Sequence, residues 1–541
     1  MNVTRFNLLA FDALSEKALL NRAEGLASVL HDCTDTDFEY ICAGLAGQRA
    51  RKATKDAPNS PCRLAIVASN TEQAATLLQR CLDRDNIGIG ALEQSGHIAV
   101  YCKPVDPQAI SAGCGPTPLC LLMADISTRW WDNSWLVDDS EPWLCELLGD
   151  TLSLTAELLQ SGNLPDPLPL LSMSASAVQT ASVNGTLTTK AQHSALYAFQ
   201  TVALALLHKL GVRANLSYQA VASFSMGEPG GALAAGELSA VQGAAVMAAM
   251  SEVVEQVERR GDNAMMVVKG LSETELDQIC SAPPPVETSI PLKVEVGAYL
   301  KEGLGSLTGD ITSLSMLEKS LTSENSGYWA NPKITLLKLS QQSRVAYHSF
   351  YFESHREAFV RNLQPVLNKN VETELRVPYW YNSVSGGLGS GSTHWRGELQ
   401  RSDSHNPAND TAFWFRCLRE RASTFRAMSK VVQDGYRIFL EVNTQCLFSQ
   451  WAVDMVNELE RQHPKVYPDE LSALLGRTIF DNESEHGHAE QILAAVADIW
   501  VLGCEVDWSA PAYRSDPYAV DAFCRESSLW KAVNALLSTH G

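Results

Sequence analysis

Three things are scarce in this chain, and each scarcity removes a class of function. Basic residues are outnumbered: 42 Lys and Arg against 62 Asp and Glu give the 541 residues a formal net charge of −20. A nucleic-acid footprint needs a basic surface that displaces counterions from phosphates, so that class is excluded. Long apolar runs are missing too; no stretch reaches the roughly 18 residues that a membrane-spanning helix needs. The opening MNVTRFNLLAFDALSE has neither the basic start nor the apolar stretch of a signal peptide. The thirteen Cys are scattered and never spaced C-x-x-C, which argues against a zinc ribbon or a disulfide framework. These features point to a soluble, cytoplasmic protein without a metal centre.

What remains is a globular balance, 45% hydrophobic and 19% charged. The length suits two to four domains at roughly 150 residues each. Residues 1–110 form a small α/β unit. Leu14–Leu30 has helical apolar spacing with Ser15 as N-cap, Cys62–Ser69 and His97–Cys102 have the apolar content of strands, and Asn70–Leu82 is helical. The Pro- and Gly-rich stretch Ser111–Pro118 marks a boundary, after which Leu119–Ala124 is a buried strand. The helix Gln192–Leu210 is apolar nearly all round, so it belongs in a core. Residues 261–340 alternate as strand, helix, strand, strand, helix, strand, the order of a ferredoxin-like unit. This unit interrupts a larger α/β body spanning 118–260 and 341–470, and residues 471–541 follow as a C-terminal segment.

The sharpest chemical signal is Ser223-Phe224-Ser225-Met226-Gly227, a serine on a strand-to-helix turn. A nucleophile elbow needs small residues there, because its Ser holds a strained backbone and projects its hydroxyl out of the sheet. Met226 would offer its backbone N–H to an oxyanion. The competing reading is an ordinary strand–helix turn. A serine hydroxyl needs a base, and of the twelve His, His348 lies where the chain leaves the inserted unit and re-enters the larger body. His355 sits on a polar helical stretch and suits the surface.

The run from Gln192 to Ser239 resembles the acyltransferase domains of modular type I polyketide synthases. Gln192, Ala195, Leu196 and Gln200 match the family's Q-P-A-L-F-A-x-Q, and Ser225, Gly227, Glu228, Ala234, Gly236, Leu238 and Ser239 match its G-H-S-x-G-E-x-A-A-A-x-x-A-G-x-L-S. Downstream, VAYHS (Val345–Ser349) resembles H-A-F-H-S, VPYWYNSVSGG resembles I-P-F-Y-S-T-V-T-G-G, and DGYRIFLEVNTQCLF resembles D-G-x-x-x-F-L-E-x-G-P-H-P-V-L. The flanks are similar to the linkers before and after such domains, so nearly the whole chain is covered. The resemblance implies an α/β-hydrolase-like acyltransferase core with an inserted ferredoxin-like subdomain, an N-terminal α/β linker domain and a C-terminal linker, here as a free-standing protein.

It also implies a mechanism: His348 deprotonates Ser225, which takes an acyl group from acyl-CoA or a phosphopantetheinyl carrier thioester and passes it to an acyl carrier protein. No cofactor would be bound, and ketosynthase or other synthase subunits are possible partners. A backbone carbonyl around Asn443–Gln445 would orient the His. The family's oxyanion-loop Gln is missing from Ala124–Arg129, its His before the nucleophile is Phe224, and its carboxylate-binding Arg falls on Met250. Phe224 and Met250 are therefore expected to line a pocket for acyl groups without a free carboxylate.

Two other readings stay open: an editing hydrolase that clears carrier thioesters, and a non-catalytic scaffold that binds carrier proteins. Arg416, Arg419, Arg421 and Arg426, within a basic stretch that also holds Lys430 and Arg437, are candidates for docking an acidic carrier. The glycines of Gly386–Ser392 suit a flexible turn better than a phosphate cradle. Glu485, His486, His488 and Glu490 suit a solvated helix start better than a metal site.

Overall fold

A computed structural model describes residues 6–53, 62–83, 92–93, 96–102, 119–123, 142–173, 177, 180–181, 187–281, 291–322, 335–337, 345–368, 377–384, 387–388, 407–443, 447–462, 475–479, 487–513 and 517–538. The strands are β1 (Asn7–Ala13), β2 (Cys62–Ala68), β3 (Leu92–Glu93), β4 (Gly96–Cys102), β5 (Leu119–Met123) and β6 (Tyr218–Ser223). They continue as β7 (Asn263–Lys269), β8 (Val294–Lys301), β9 (Leu304–Asp310) and β10 (Thr335–Leu337). The last are β11 (Tyr379–Asn382), β12 (Gly387–Leu388), β13 (Ile438–Val442) and β14 (Leu475–Thr478).

Three sheets result. The central one runs β12-β11-β6-β5-β13-β14. All its pairings are parallel except β11 with the edge strand β12. Parallel strands buried on both faces are rich in apolar residues, as LCLLM in β5 and, apart from Glu441, IFLEV in β13 show. Counted along the chain, the parallel strands stand in the order 3-2-1-4-5. Sites in such doubly wound sheets lie at the carboxyl ends of strands near the reversal, which here falls at β5, the neighbour of β6.

The inserted sheet runs β10-β7-β9-β8 and is antiparallel throughout. With helices Glu273–Ser281 and Ile311–Thr322 between its strands, it has the order and connectivity of a ferredoxin-like unit. The N-terminal sheet, β1-β2-β4-β3, is antiparallel and packs beneath helices Glu16–Leu30 and Thr71–Leu82. Ser15 caps the first of these by accepting from the Ala18 N–H.

Helix His488–Val501 packs against β2, β4 and β14, which buries it from Ala489 through Val501. Its Asp498 is wholly buried, with His97 Nε2 of β4 at 2.7 Å on one carboxylate oxygen and the part-buried Arg477 of β14 on the other. This burial corrects the expectation of a solvated helix start, since Glu490 lies inside a core helix while His488 is half-buried at its first turn. Glu485 and His486 lie outside the described residues. Gly387 and Leu388 also differ from expectation: they pair with β11 as an edge strand rather than a loose turn.

Candidate active site

β6 ends at Ser223, and after Phe224 the chain enters a 3₁₀ turn, Ser225–Gly227, that leads into helix Glu228–Ala234. Ser225 holds φ +51°, the left-handed region that a residue with a Cβ rarely adopts. The helix presses hard on the strand it follows: a Cβ at Gly231 would collide with the Ser223 side chain, so the position needs glycine.

A buried polar frame holds the strained turn. The Ser225 N–H donates to Ser383 Oγ at 3.0 Å, and Ser383 donates in turn from Oγ and N to Glu228 Oε1, each at 2.7 Å. The other Glu228 oxygen bonds Ser223 Oγ, which accepts the Trp380 indole N–H at 2.8 Å. Burial pushes the Glu228 carboxyl up to about 8, against the pull of its bonds to Ser223 and Ser383. Glu228 and Ser383 were visible in the sequence only as matched letters, without a role. A Glu among small residues just after a nucleophile is the signal that could have found the frame.

His348 also holds a left-handed backbone, φ +58°, and its N–H donates to the Leu418 carbonyl at 3.0 Å. Its Nε2 lies 3.0 Å from Ser225 Oγ, and its Nδ1 lies 2.9 Å from the Glu420 carbonyl oxygen. A carbonyl can only accept, so Nδ1 carries the proton and Nε2 turns its lone pair to the serine hydroxyl. Burial lowers the imidazole to about 4, with the Glu420 carbonyl pulling the other way. At neutral pH the group facing Ser225 is therefore an unprotonated base.

Glu420 corrects the expected source of the orienting carbonyl. It is the C-cap of helix Thr411–Arg419, where carbonyls lack intrahelical partners and are free to accept. Asn443, at the end of β13, instead donates to Glu441, a buried carboxylate that caps helix Phe448–Gln462 through the N–H groups of Leu447 and Ser449. Gln445 lies outside the described residues, as do residues 124–129.

No protein-family profile matches the chain. Solved structures do. The acyltransferase domain of ZmaA aligns over 94% of this chain and 97% of its own, with a TM-score of 0.65 at 13% identity. The acyltransferase domain of SpnD, solved in complex with 2-(pent-4-yn-1-yl)malonyl, aligns over 94% and 99% with a TM-score of 0.60 at 15% identity. The acyltransferase domain from module 8 of the salinomycin polyketide synthase aligns over 93% and 98% with a TM-score of 0.58 at 15% identity. The fold is that of a polyketide synthase acyltransferase domain.

Within this acyltransferase fold, Met226 follows the serine in the 3₁₀ turn, where the first amides lack helical partners. Phe224 and Met250 are both buried but do not share one wall. Phe224 stacks on Phe448 at 4.5 Å in one apolar cluster, and Met250 belongs to the main core on helix Ala240–Glu258. The first arginine after Met250, Arg259, caps that helix at the surface and pairs with Glu255.

Beside Met250 lies a neutral polar cluster that sequence reasoning missed. Ser251 Oγ donates to the Met247 carbonyl at 2.7 Å, so it accepts from His193 Nδ1 at 3.0 Å. His193 Nε2 then accepts from the hydroxyl of Tyr347, the residue before His348, at 3.1 Å. Burial lowers His193 to about 3, which keeps it uncharged.

The basic stretch is not a free positive face. Arg419 makes a two-pronged pair with Glu295, at 3.1 and 3.2 Å, and reaches Glu353. Arg421 pairs with Glu273 and Asp277, and Arg426 with Glu273 at 3.0 Å. These partners belong to the inserted subdomain or to the 3₁₀ turn after His348, so the arginines fasten elements together. Arg416 is half-buried on the helix that ends at Arg419. Of the four expected to dock a carrier, Arg419, Arg421 and Arg426 are thus already paired within the chain.

Proposed function

We propose that the protein is an acyltransferase whose Ser225 takes an acyl group from a thioester and delivers it to a carrier thiol. The observation that carries this reading is the Ser225–His348 pair itself: a hydroxyl on a strained elbow, 3.0 Å from an imidazole whose tautomer is fixed for proton abstraction. His348 Nε2 takes the Ser225 proton as Oγ attacks the thioester carbonyl. The Met226 N–H stabilises the oxyanion, the thiolate leaves with the proton from His348, and an acyl-serine ester remains. The phosphopantetheine thiol of an acyl carrier protein then reverses the sequence, giving up its proton to His348. No bound cofactor takes part.

The acyl group is one without a free carboxylate. Where the sequence resemblance puts an anion-binding arginine stands buried Met250, and the adjoining His193–Ser251–Tyr347 cluster is neutral. An unpaired carboxylate brought into such surroundings costs about 3–5 kcal/mol, a hundredfold or more in rate or affinity. The test is a competition between butyryl-CoA and malonyl-CoA, followed by discharge to a phosphopantetheinylated carrier protein. A butyryl adduct that the carrier removes supports the reading. Preference for malonyl refutes the substrate class, and discharge by water as fast as by carrier would make the protein a hydrolase.

A further inference from the structure

The two segments that set the His348 imidazole are far apart in sequence, and one side chain of the inserted subdomain holds both. Glu295 lies on β8. Its Oε2 accepts the backbone N–H of Phe350, two residues beyond His348, at 2.9 Å. The same carboxylate makes the two-pronged pair with Arg419, whose next residue, Glu420, supplies the carbonyl bonded to His348 Nδ1. Backbone bonds reinforce the junction: Ala422 N–H donates to Gly297 O at 2.9 Å, and Tyr299 N–H donates to Ala422 O at 3.1 Å. One residue on, Ser423 N–H donates to the carbonyl of Ser383, the residue whose hydroxyl holds the Ser225 amide.

We propose that Glu295 is a positioning residue for the Ser225–His348 pair: by holding Phe350 and Arg419 together, it sets the distance between the base and the carbonyl that orients it. This rests on the acyltransferase reading above. An ion pair that merely joins two subdomains needs no contact with the amide beside the base, and Glu295 makes both contacts with one carboxylate. Without it the Phe350 N–H and the Arg419 guanidinium lose their common partner, and only the His348 N–H bond to the Leu418 carbonyl and the Arg419–Glu353 pair still tie the two segments that define the 2.9 Å bond to Nδ1. A displacement of about 1 Å at reacting groups costs about 100-fold in rate.

The experiment compares Glu295→Ala, Glu295→Gln and, on the same hairpin, Glu302→Ala in the full chain. Glu302 accepts from Tyr299 Oη and contacts neither segment. Two readouts are taken: kcat and KM for butyryl transfer to Ser225, and the NMR resonance of the His348 Nδ1 proton, assigned by its absence in His348→Ala. Glu295→Ala is expected to lower kcat about 100-fold with KM changed less than about twofold, and to shift or broaden away the Nδ1 proton signal. Glu295→Gln, which keeps an acceptor for Phe350, should recover part of both, and Glu302→Ala should leave both unchanged. Wild-type kcat and an unmoved resonance in Glu295→Ala would overturn the assignment, as would equal damage from Glu302→Ala. The NMR signal needs no turnover. A wild-type chain that forms no adduct, yet loses the signal on Glu295→Ala alone, would sink the transferase reading and uphold the positioning role.

Discussion

Acylation of Ser225 should keep its rate down to pH 5. An ordinary imidazole titrates near 6.5, whereas burial lowers His348 to about 4. At pH 5 about 90% of such a base stays unprotonated, against about 3% of an unshifted histidine, a difference of about thirtyfold. The same depression acts on stability. Between pH 6.5 and 4 the unfolded chain binds a proton that the folded His348 refuses, so stability falls as the pH is lowered through that window. The loss is on the order of 3 kcal/mol for a group this deeply buried. His193, lowered to about 3 by burial, adds to it in the same direction. The assay therefore pairs kcat/KM for butyryl-CoA with tryptophan fluorescence at each pH from 8 to 5. A rate that follows a titration near 6.5, falling about thirtyfold by pH 5 while the fluorescence stays native, would refute the buried, neutral base.

Other outcomes follow from the same geometry. Ser225→Ala should abolish the adduct, a loss of several orders of magnitude in rate by mass spectrometry, with the thermal midpoint retained. Glu228→Ala leaves Ser223 and Ser383 donors unpaired in the core and should cost about 1–3 kcal/mol per abandoned group, whereas Glu228→Gln, which keeps an acceptor for Ser383, should lose less; denaturant melts check both. Because burial raises Glu228 to about 8, its folded form keeps a proton that the unfolded chain releases near 4.5. Glu228 should therefore make the wild type less stable as the pH rises between 4.5 and 8, and Glu228→Gln should flatten that slope. Ser383→Ala removes the acceptor of the Ser225 amide and should slow acylation more than it weakens donor binding, seen as a fall in kcat at nearly constant KM.

The legible parts of the molecule were those written in local pattern. Ser225 stands out because a strand, a turn and small residues coincide within five positions, and the inserted subdomain because its strands and helices alternate in a known order. Strand β1 was not recognised, since the eleven residues before Asp12 carry no turn signal to set it off from the helix that follows. What the sequence left hidden were relations between distant positions. The carbonyl of Glu420 has no side-chain signature, so nothing in its letter reports that it orients His348. Arg421 and Arg426 looked like a free basic stretch because Glu273, their common partner, lies 148 and 153 residues away. The burial of Glu490 follows from a helix set between two sheets, which only the tertiary arrangement defines.

The most direct test of the central claim is the intact mass of the full chain after incubation with butyryl-CoA, followed by peptide mapping. The account predicts a single added butyryl group, mapped to Ser225 and absent from Ser225→Ala. A butyryl group on another residue, or an unmodified chain that neither retains nor turns over the thioester, would contradict it.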